Sequence, residues 1–219
     1  MPAPLVPVPR RPMRAMTAKQ QSKDPIPAYP LWITLPYTLF VAVLTPFYWL
    51  RYGPGNFLWF SDLALFAVLI ALWTGIRLFY SMMAVGVLPL ELAWCVDFAT
   101  GGRFIGLAAY MFDPKEPLHM RLLSGFHLFL PVFILFMLMR QGYDRRAFKA
   151  QTVFAWVVLL ASYWLTPPEK NINWVHGLGP GPEAQKVLSP GTYLGLYMVL
   201  LPVVAYLPVH LVLKRLFRP

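Results

Sequence analysis

Long apolar runs constrain this chain more than any other feature. Most of them approach the roughly 20 residues that a helix needs to cross about 30 Å of hydrocarbon. The runs predict membrane-spanning helices over residues 31–50, 57–73, 78–99, 122–139, 148–165 and 193–213. Of the 219 residues, 58% are hydrophobic and 13% are charged, whereas soluble domains carry about 25% charged residues. The predicted fold class is therefore all-α, a polytopic transmembrane helical bundle of about six spans.

The distribution of charge predicts how the spans are oriented. The chain has 19 Lys and Arg residues against 9 acidic ones. The basic residues flank apolar runs, which is typical of a topology signal, so we expect no nucleic-acid partner. With six spans, 13 basic residues fall on the side of the two termini and 6 on the other side. This bias predicts that the N-terminus and the C-terminus are both cytoplasmic, and it disfavours a seventh span.

Two segments do not fit the pattern of spans. Residues 1–30 contain eight prolines and five basic residues without an apolar core, which predicts a disordered, basic cytoplasmic tail. The stretch FIGLAAYMF, residues 104–112, is apolar but too short to cross a bilayer. Three alternatives remain for it: an interfacial or re-entrant helix, a continuation of the third span, or an additional span.

Polar residues within the spans predict one site. Under the six-span topology, Asp62, Glu91 and Asp97 fall near the outer ends of the second and third spans, and His127 lies about one turn into the fourth. A charged side chain at the bilayer centre costs about 2.5–3.5 kcal/mol on insertion scales, so such groups face protein or water. Their shared depth predicts a single polar cavity at the outer face of the membrane.

The residue types in this cavity suggest acid–base chemistry. His127 is the candidate general base, with Asp62 or Glu91 orienting it; the alternative is hydrogen bonding between helices. Ser124 lies three residues before His127 and shares its helix face, so it is a weak nucleophile candidate. Cys95 is either a thiol nucleophile or a small apolar filler. The remaining polar residues of the predicted pocket are Ser61 and Asp97.

Metals and cofactors are not expected. The single cysteine excludes an intrachain disulfide and a multi-cysteine metal site. Histidine spacings typical of metal sites and glycine-rich phosphate or dinucleotide motifs are absent from the sequence. Tryptophans near the predicted span ends are typical of an interfacial belt; they are Trp49, Trp59, Trp73, Trp94, Trp164 and Trp174.

The stretch PPEKNINWVHGLGPGPE, residues 167–183, lies between the fifth and sixth spans. Its two prolines end the preceding helix, and the glycines and prolines that follow position 176 prevent regular structure. Between them lie Asn171, Asn173, Trp174 and His176. These residues predict that the outer loop 166–192 folds over the polar pocket as a lid; the alternative is an ordered but inert turn.

The order of several motifs resembles a known family. WFSDLAL in the second span, SGFH in the fourth, GYDRR on the cytoplasmic side and an N-x-N-aromatic loop before the last span look like the bacterial YwaF-type six-span membrane proteins. Their animal relative is a transmembrane acyltransferase acting on ether phospholipids. The resemblance covers roughly residues 55–213. It matches the family's fourth-span histidine to His127 and offers Cys95 as a loosely matching thiol. The runs FLWFSD, VDF and EKNINWV resemble those of uncharacterised bacterial membrane proteins, and this second resemblance implies a bacterial inner-membrane setting.

Three functions are consistent with these features. The first is a lipid-active enzyme for acyl transfer or hydrolysis, with membrane lipids as its partners. The second is a structural or assembly subunit with a protein partner in a membrane complex, whose polar residues hold helices together. The third is a small proton-coupled transporter that uses the intramembrane carboxylates. The sequence has no internal repeat of the kind found in many transporters, which argues against the third.

Overall fold

The computed structural model describes residues 29–179 and 185–217, and these form an all-helical bundle without β-strands. The N-terminal tail, apart from Tyr29 and Pro30, and part of the loop predicted to be a lid therefore lie outside the described residues. The helices are α1 (Leu31–Tyr52), α2 (Phe60–Thr74), α3 (Arg77–Gly86), α4 (Leu88–Ala99), α5 (Leu118–Ser124), α6 (Phe126–Gln141), α7 (Ala147–Leu165), α8 (Pro190–Leu200) and α9 (Leu207–Leu216).

Membrane-length helices account for most of the bundle. In the described part of the chain, four stretches are long and apolar enough to cross a membrane: Leu31–Tyr52, Leu118–Gln141, Ala147–Leu165 and Pro190–Leu216. Helices α3 and α4 meet at 56° and make a fifth if they form one broken span. Helix α2 has 15 residues, which is about 22 Å of helix and less than the hydrocarbon thickness. The structure thus has the helices of a multi-pass membrane protein, four to five of full length rather than six.

The outer surface of the bundle is apolar. Trp32, Leu50 and Val204 are 76%, 84% and 68% exposed. Buried positions include carboxylates, amides and hydroxyls, which are listed here in chain order: Thr34, Asp62, Ser81, Glu91, Asp97, Ser124, Gln151, Ser162, Thr166, Asn171 and Asn173. An apolar exterior around a partly polar interior is the arrangement that a lipid-facing surface requires.

The short helix α2 is sheltered by its neighbours α1, α3 and α6. Its fully buried side chains include Ala64, Leu65, Val68 and Ala71, and the alanines allow the neighbouring helices to approach closely. The Tyr37 hydroxyl of α1 donates a hydrogen bond to the Leu65 carbonyl at 3.0 Å. Because other helices cover much of α2, its short length exposes few polar backbone ends to lipid.

Prolines mark the irregular points of the last helical stretch. Pro202 lies in a π-helical turn, Leu201–Tyr206, that joins α8 to α9. It has no N–H to offer the Met198 carbonyl four residues earlier. The indole N–H of Trp156 donates to that carbonyl instead, at 2.7 Å. The helix is therefore irregular at Pro202, and a neighbouring helix satisfies the carbonyl that this proline frees.

Three loops meet at one end of the bundle, which we call the site end: residues 53–59, residues 100–117, and the described residues 166–179 and 185–189 of the third loop. The Lys170 ammonium donates to the Tyr52 carbonyl at 2.6 Å, and the Tyr52 hydroxyl donates to Glu116. The nine-residue apolar piece lies here as an irregular loop followed by one short turn, Ala109–Phe112. Among the alternatives for that piece, the structure therefore excludes an additional span.

The contact between α3 and α7 supports one stability prediction. A Cβ on Gly86 would lie 2.2 Å from Nε2 of Gln151, 2.5 Å from its Cδ and 2.8 Å from its Cγ. Because Gln151 is fully buried, its side chain has little room to move. Gly86→Ala should therefore destabilise the protein by about 1–3 kcal/mol, measured as a lower midpoint of thermal unfolding in detergent. The double variant Gly86→Ala/Gln151→Ala should recover part of the loss, and purely additive losses would contradict this explanation.

Candidate functional site

A cavity of about 420 Å³ lies at the site end of the bundle. It brings together residues that are far apart in the sequence. The residues predicted from the sequence that line it are Ser61, Asp62, Glu91, Ser124, His127, Asn173 and Trp174. Four others predicted for the site, Cys95, Asp97, Asn171 and His176, are not among its lining residues. The structure therefore forms the expected cavity but gives those four side chains other positions.

His127 and Glu91 form a hydrogen-bonded pair at the cavity wall. The distance from His127 Nδ1 to Glu91 Oε2 is 2.8 Å, and the two side chains are 14% and 3% exposed. The imidazole stacks on Trp94 and on Phe126, with ring centroids 4.6 and 4.1 Å away. In the described part of the chain Nε2 makes no hydrogen bond. His127 lines the cavity, and if Nδ1 donates its proton to the carboxylate, Nε2 is left without a proton and able to accept one.

Cys95 contacts the backbone of His127. Pro131 has no N–H for the carbonyl of His127, four residues earlier, and the Cys95 thiol donates to that carbonyl at 3.3 Å. Cys95 follows Glu91 by four residues, so the two share one face of α4. Helix α4 therefore contacts His127 twice, at the ring and at the backbone. This position favours a structural task for Cys95 over a nucleophilic one.

Asp62 is buried beside the pair. It is 2% exposed, and its Oδ2 accepts a hydrogen bond from the Asn56 side-chain amide at 3.1 Å. Its Oδ1 is buried and has no hydrogen-bond partner in the described structure. A buried polar atom without a partner costs about 1–3 kcal/mol, and more if it is charged. Asp62 is thus a carboxyl group at the cavity wall with one oxygen left unsatisfied.

Ser124 belongs to a cluster of hydroxyl groups. Ser124 Oγ and the Tyr48 hydroxyl share a hydrogen bond of 2.7 Å, and Tyr110 lines the same cavity. No hydrogen bond joins Ser124 to His127 among the described residues, and Gly125 separates α5 from α6 between them. The geometry therefore does not support Ser124 as a nucleophile activated by His127.

Asn173 attaches the predicted lid loop to the cavity. Its amide donates to the Leu58 carbonyl at 2.7 Å and to Ser162 Oγ at 3.1 Å. Its carbonyl oxygen accepts from the Phe60 N–H at 3.0 Å, one of the first amides of α2, which have no partner within the helix. Asn173 and Trp174 both have positive φ, 53° and 61°, and a bulky residue such as tryptophan seldom adopts that conformation. Tertiary contacts therefore hold a strained turn in place.

Asn171 and His176 organise the loop internally. The Asn171 side chain accepts from the His176 N–H at 3.0 Å and donates to the Gly177 carbonyl at 2.9 Å. The His176 ring packs 5.0 Å from that of Tyr163. Burial lowers the pKa of His176, against an opposing effect of Glu169. His176 is therefore mostly neutral at pH 7 and contributes to the shape of the loop rather than to the cavity wall.

Asp97 organises the loop after α4. Its Oδ1 accepts from the N–H groups of Phe104, Ile105 and Gly106 at 3.0, 2.6 and 3.2 Å, and its Oδ2 accepts from Ala108 at 2.7 Å. Four charge-assisted hydrogen bonds from one carboxylate fix this turn. The residue was predicted to line the pocket; it instead positions the segment that carries Tyr110 to the cavity.

These four bonds give a second stability prediction. Asp97→Asn turns one acceptor into an N–H donor and removes the charge, so it should weaken bonds that are worth about 1.5–3 kcal/mol each. Amide hydrogen exchange at Phe104, Ile105, Gly106 and Ala108 should then be at least about tenfold faster, while exchange in α7 stays unchanged. Unchanged protection of these four amides would show that the carboxylate does not hold the loop.

Several lining residues were not predicted from the sequence as parts of the site. The aromatic ones include Tyr48, Tyr52, Trp59, Trp94 and Tyr110, and the polar ones are Asn56 and Glu116. Trp59, Trp94 and Trp174 were expected in an interfacial belt, but here they also line the cavity. Within the described residues, no group of three or more His, Cys, Asp or Glu side chains is arranged to hold a metal ion.

Comparisons of this chain with protein-family models, with curated proteins and with solved structures found no match.

Proposed function

We propose that this chain is a membrane enzyme that hydrolyses or transfers acyl groups of membrane lipids, with His127 as general base and Glu91 as its positioning residue. The observation that carries the proposal is the 2.8 Å bond between His127 Nδ1 and Glu91. It leaves Nε2 free to act on a molecule in the cavity. The apolar exterior of the bundle, with Trp32 76% exposed, makes lipid the surrounding medium and the nearest source of such a molecule.

In the proposed reaction, an oxygen of water or of a substrate hydroxyl attacks an ester carbonyl carbon. Nε2 takes the proton from water or from a substrate hydroxyl while that oxygen bonds to the ester carbonyl carbon. The tetrahedral species then breaks its bond to the departing oxygen, which receives the proton back from the imidazolium. Glu91 stabilises the imidazolium that forms between the two steps. Hydroxyl groups at the cavity wall, those of Tyr48 and Tyr110, are donors available to a developing oxyanion.

We also propose the topology that this function implies: six crossings of a bacterial inner membrane, both termini in the cytoplasm, and the site end outside. The basic residues support this orientation, since 13 of the 19 fall on the side of the termini under this topology. The burial of α2 supports counting it as a short crossing, because Leu65 and Val68 are fully enclosed.

Purified protein in nanodiscs with acyl-labelled phospholipids tests the activity. We expect release of labelled fatty acid, or transfer of the label to an added lysophospholipid acceptor. Transfer that depends on the acceptor would identify an acyltransferase, and release without an acceptor would identify a hydrolase. If the protein is folded and processes none of the major phospholipid classes in either format, the proposal is wrong.

Cys95 distinguishes this mechanism from a thiol mechanism. Because its thiol donates to the His127 carbonyl and does not line the cavity, Cys95→Ser should retain turnover within about tenfold of wild type, as expected for the loss of one weak hydrogen bond. The same nanodisc assay measures it. A loss comparable to that of removing His127, in a variant with unchanged thermal stability, would identify Cys95 as the nucleophile.

A further inference from the structure

We propose that the cavity recognises the protonated primary amine of a membrane amphiphile, with Asp62 as the carboxylate that binds it. This inference deepens the proposed function, because it names the group by which the lipid would be oriented next to His127. It rests on the charge, the hydrogen bonding and the aromatic surface of the cavity.

The cavity is acidic although the protein is basic. The chain carries a formal net charge of +10. The carboxyl groups that line the cavity are those of Asp62, Glu91 and Glu116, and no lysine or arginine lines it in the described part of the chain. Asp62 and Glu91 line the same cavity, so their charges would repel each other if both groups were ionised. A cation in the cavity would relieve that repulsion.

Asp62 differs from the other two carboxylates because it lacks a cationic partner. Glu91 pairs with His127 at 2.8 Å, and Glu116 pairs with Arg51 at 3.4 Å and accepts from the Tyr52 hydroxyl. Asp62 has a single neutral donor, and its Oδ1 is buried without a partner. The missing interaction is an N–H donor, preferably a charged one.

Aromatic rings line the same cavity as Asp62. Tyr48, Trp59, Trp94, Tyr110 and Trp174 all line the cavity. Aromatic faces attract alkylammonium groups through cation–π interactions. A quaternary ammonium would use these faces but has no N–H for Oδ1 of Asp62. A primary ammonium supplies three N–H donors and a positive charge, and so fits both observations.

The cavity also has an apolar wall. Val87 between α3 and α4, Leu90 of α4 and Leu107 of the following loop line it, and Leu90 is 41% exposed. An amine bound at Asp62 would therefore place its hydrocarbon chain along these side chains. The ligand class is an amphiphile with a primary amine, such as an ethanolamine phospholipid or a long-chain amine.

Native mass spectrometry of the purified full chain tests this binding without requiring turnover. The protein is offered equimolar phosphatidylethanolamine, N-acetyl-phosphatidylethanolamine, phosphatidylcholine and phosphatidylglycerol with identical acyl chains. We expect retention of phosphatidylethanolamine at least about tenfold above each of the other three. Equal retention of the N-acetylated lipid, which has no charged amine, would overturn the proposal on the wild-type protein alone.

Two variants and a competitor complete the test. Asp62→Asn should lower the retention of phosphatidylethanolamine to that of phosphatidylcholine, whereas Asp113→Asn, which removes an exposed acid of a neighbouring loop, should keep the preference. A preserved preference in folded Asp62→Asn would overturn the role of Asp62.

In the competition experiment, displacement of bound phosphatidylethanolamine by sphinganine but not by dodecanol would show that a long-chain amine is sufficient for binding. Displacement by neither compound would show that the protein also recognises the rest of the phospholipid headgroup. Selective binding without turnover would contradict the proposed enzyme and leave this inference standing.

Discussion

Replacement of His127 by alanine is expected to lower lipid turnover by about 10²- to 10⁴-fold, the usual contribution of a positioned general base. The physical reason is that Nε2 is the only basic nitrogen that lines the cavity within the described residues. Initial rates of label release or transfer in nanodiscs measure the effect. Turnover of folded His127→Ala at the wild-type level would remove His127 from the mechanism.

Three further variants separate chemistry from folding. His127→Asn places an amide near the position of Nδ1, so it can keep the bond to Glu91 while removing the base, and it should be as inactive as His127→Ala. His119→Ala removes a histidine that is exposed at the same end of the bundle and should retain activity. Glu91→Gln should reduce turnover in wild type but not in His127→Ala, because a positioning residue acts only through the group that it positions. Equal losses in both backgrounds would show that Glu91 acts independently.

Replacement of Asn173 by alanine is expected to be the most destabilising change in the loop. It removes one bond to the Phe60 N–H, one to the Leu58 carbonyl and one to Ser162. It also puts alanine at a φ of 53°, which costs about 1–2 kcal/mol. With net values near 1 kcal/mol for each hydrogen bond, the total is about 4 kcal/mol, or a decrease of roughly 10 °C in Tm for a chain of this size.

Two comparisons identify the cause of that loss. Asn173→Asp keeps an acceptor for the Phe60 N–H but no donor for Leu58 or Ser162, so its Tm should lie between those of wild type and Asn173→Ala. Glu169→Ala changes an exposed residue of the same loop and should leave Tm within about 1 °C, as is usual for surface substitutions. A Tm for Asn173→Ala equal to that of Glu169→Ala would show that the loop does not stabilise the bundle.

Hydropathy predicted the helices well because lipid imposes a simple rule on long apolar segments. Five of the six predicted runs correspond to helical stretches of membrane length, if α3 and α4 count as one broken span. The second run differs because Phe57 and Leu58 belong to a short turn, Pro54–Leu58, and the helix begins only at Phe60. Hydropathy does not distinguish an apolar residue in a turn from one in a helix. The tail before residue 29 and the orientation of the termini stay predictions.

The candidate site was partly predictable for an energetic reason. Asp62, Glu91 and His127 were identified because polar groups in spans are costly and tend to cluster, and they do line one cavity. Asp97 satisfied the same criterion but binds four backbone amides, which sequence spacing does not reveal. Glu116 lies in a loop, where a charged side chain does not have to be inserted into the membrane. Its position therefore gave no energetic reason to select it as a site residue. Its contribution depends on how residues 100–117 fold back over the bundle.

Photo-crosslinking tests the central claim, that lipid reaches the Glu91–His127 pair, most directly. A phospholipid with a diazirine in the first carbons of its acyl chain, next to the ester, is reconstituted with the protein, irradiated, and mapped by peptide mass spectrometry. The account predicts adducts on the cavity residues Trp94 and Tyr110 that are outcompeted by unlabelled substrate lipid. Adducts confined to the lipid-exposed surface of Pro190–Leu216, with none in the cavity, would contradict it.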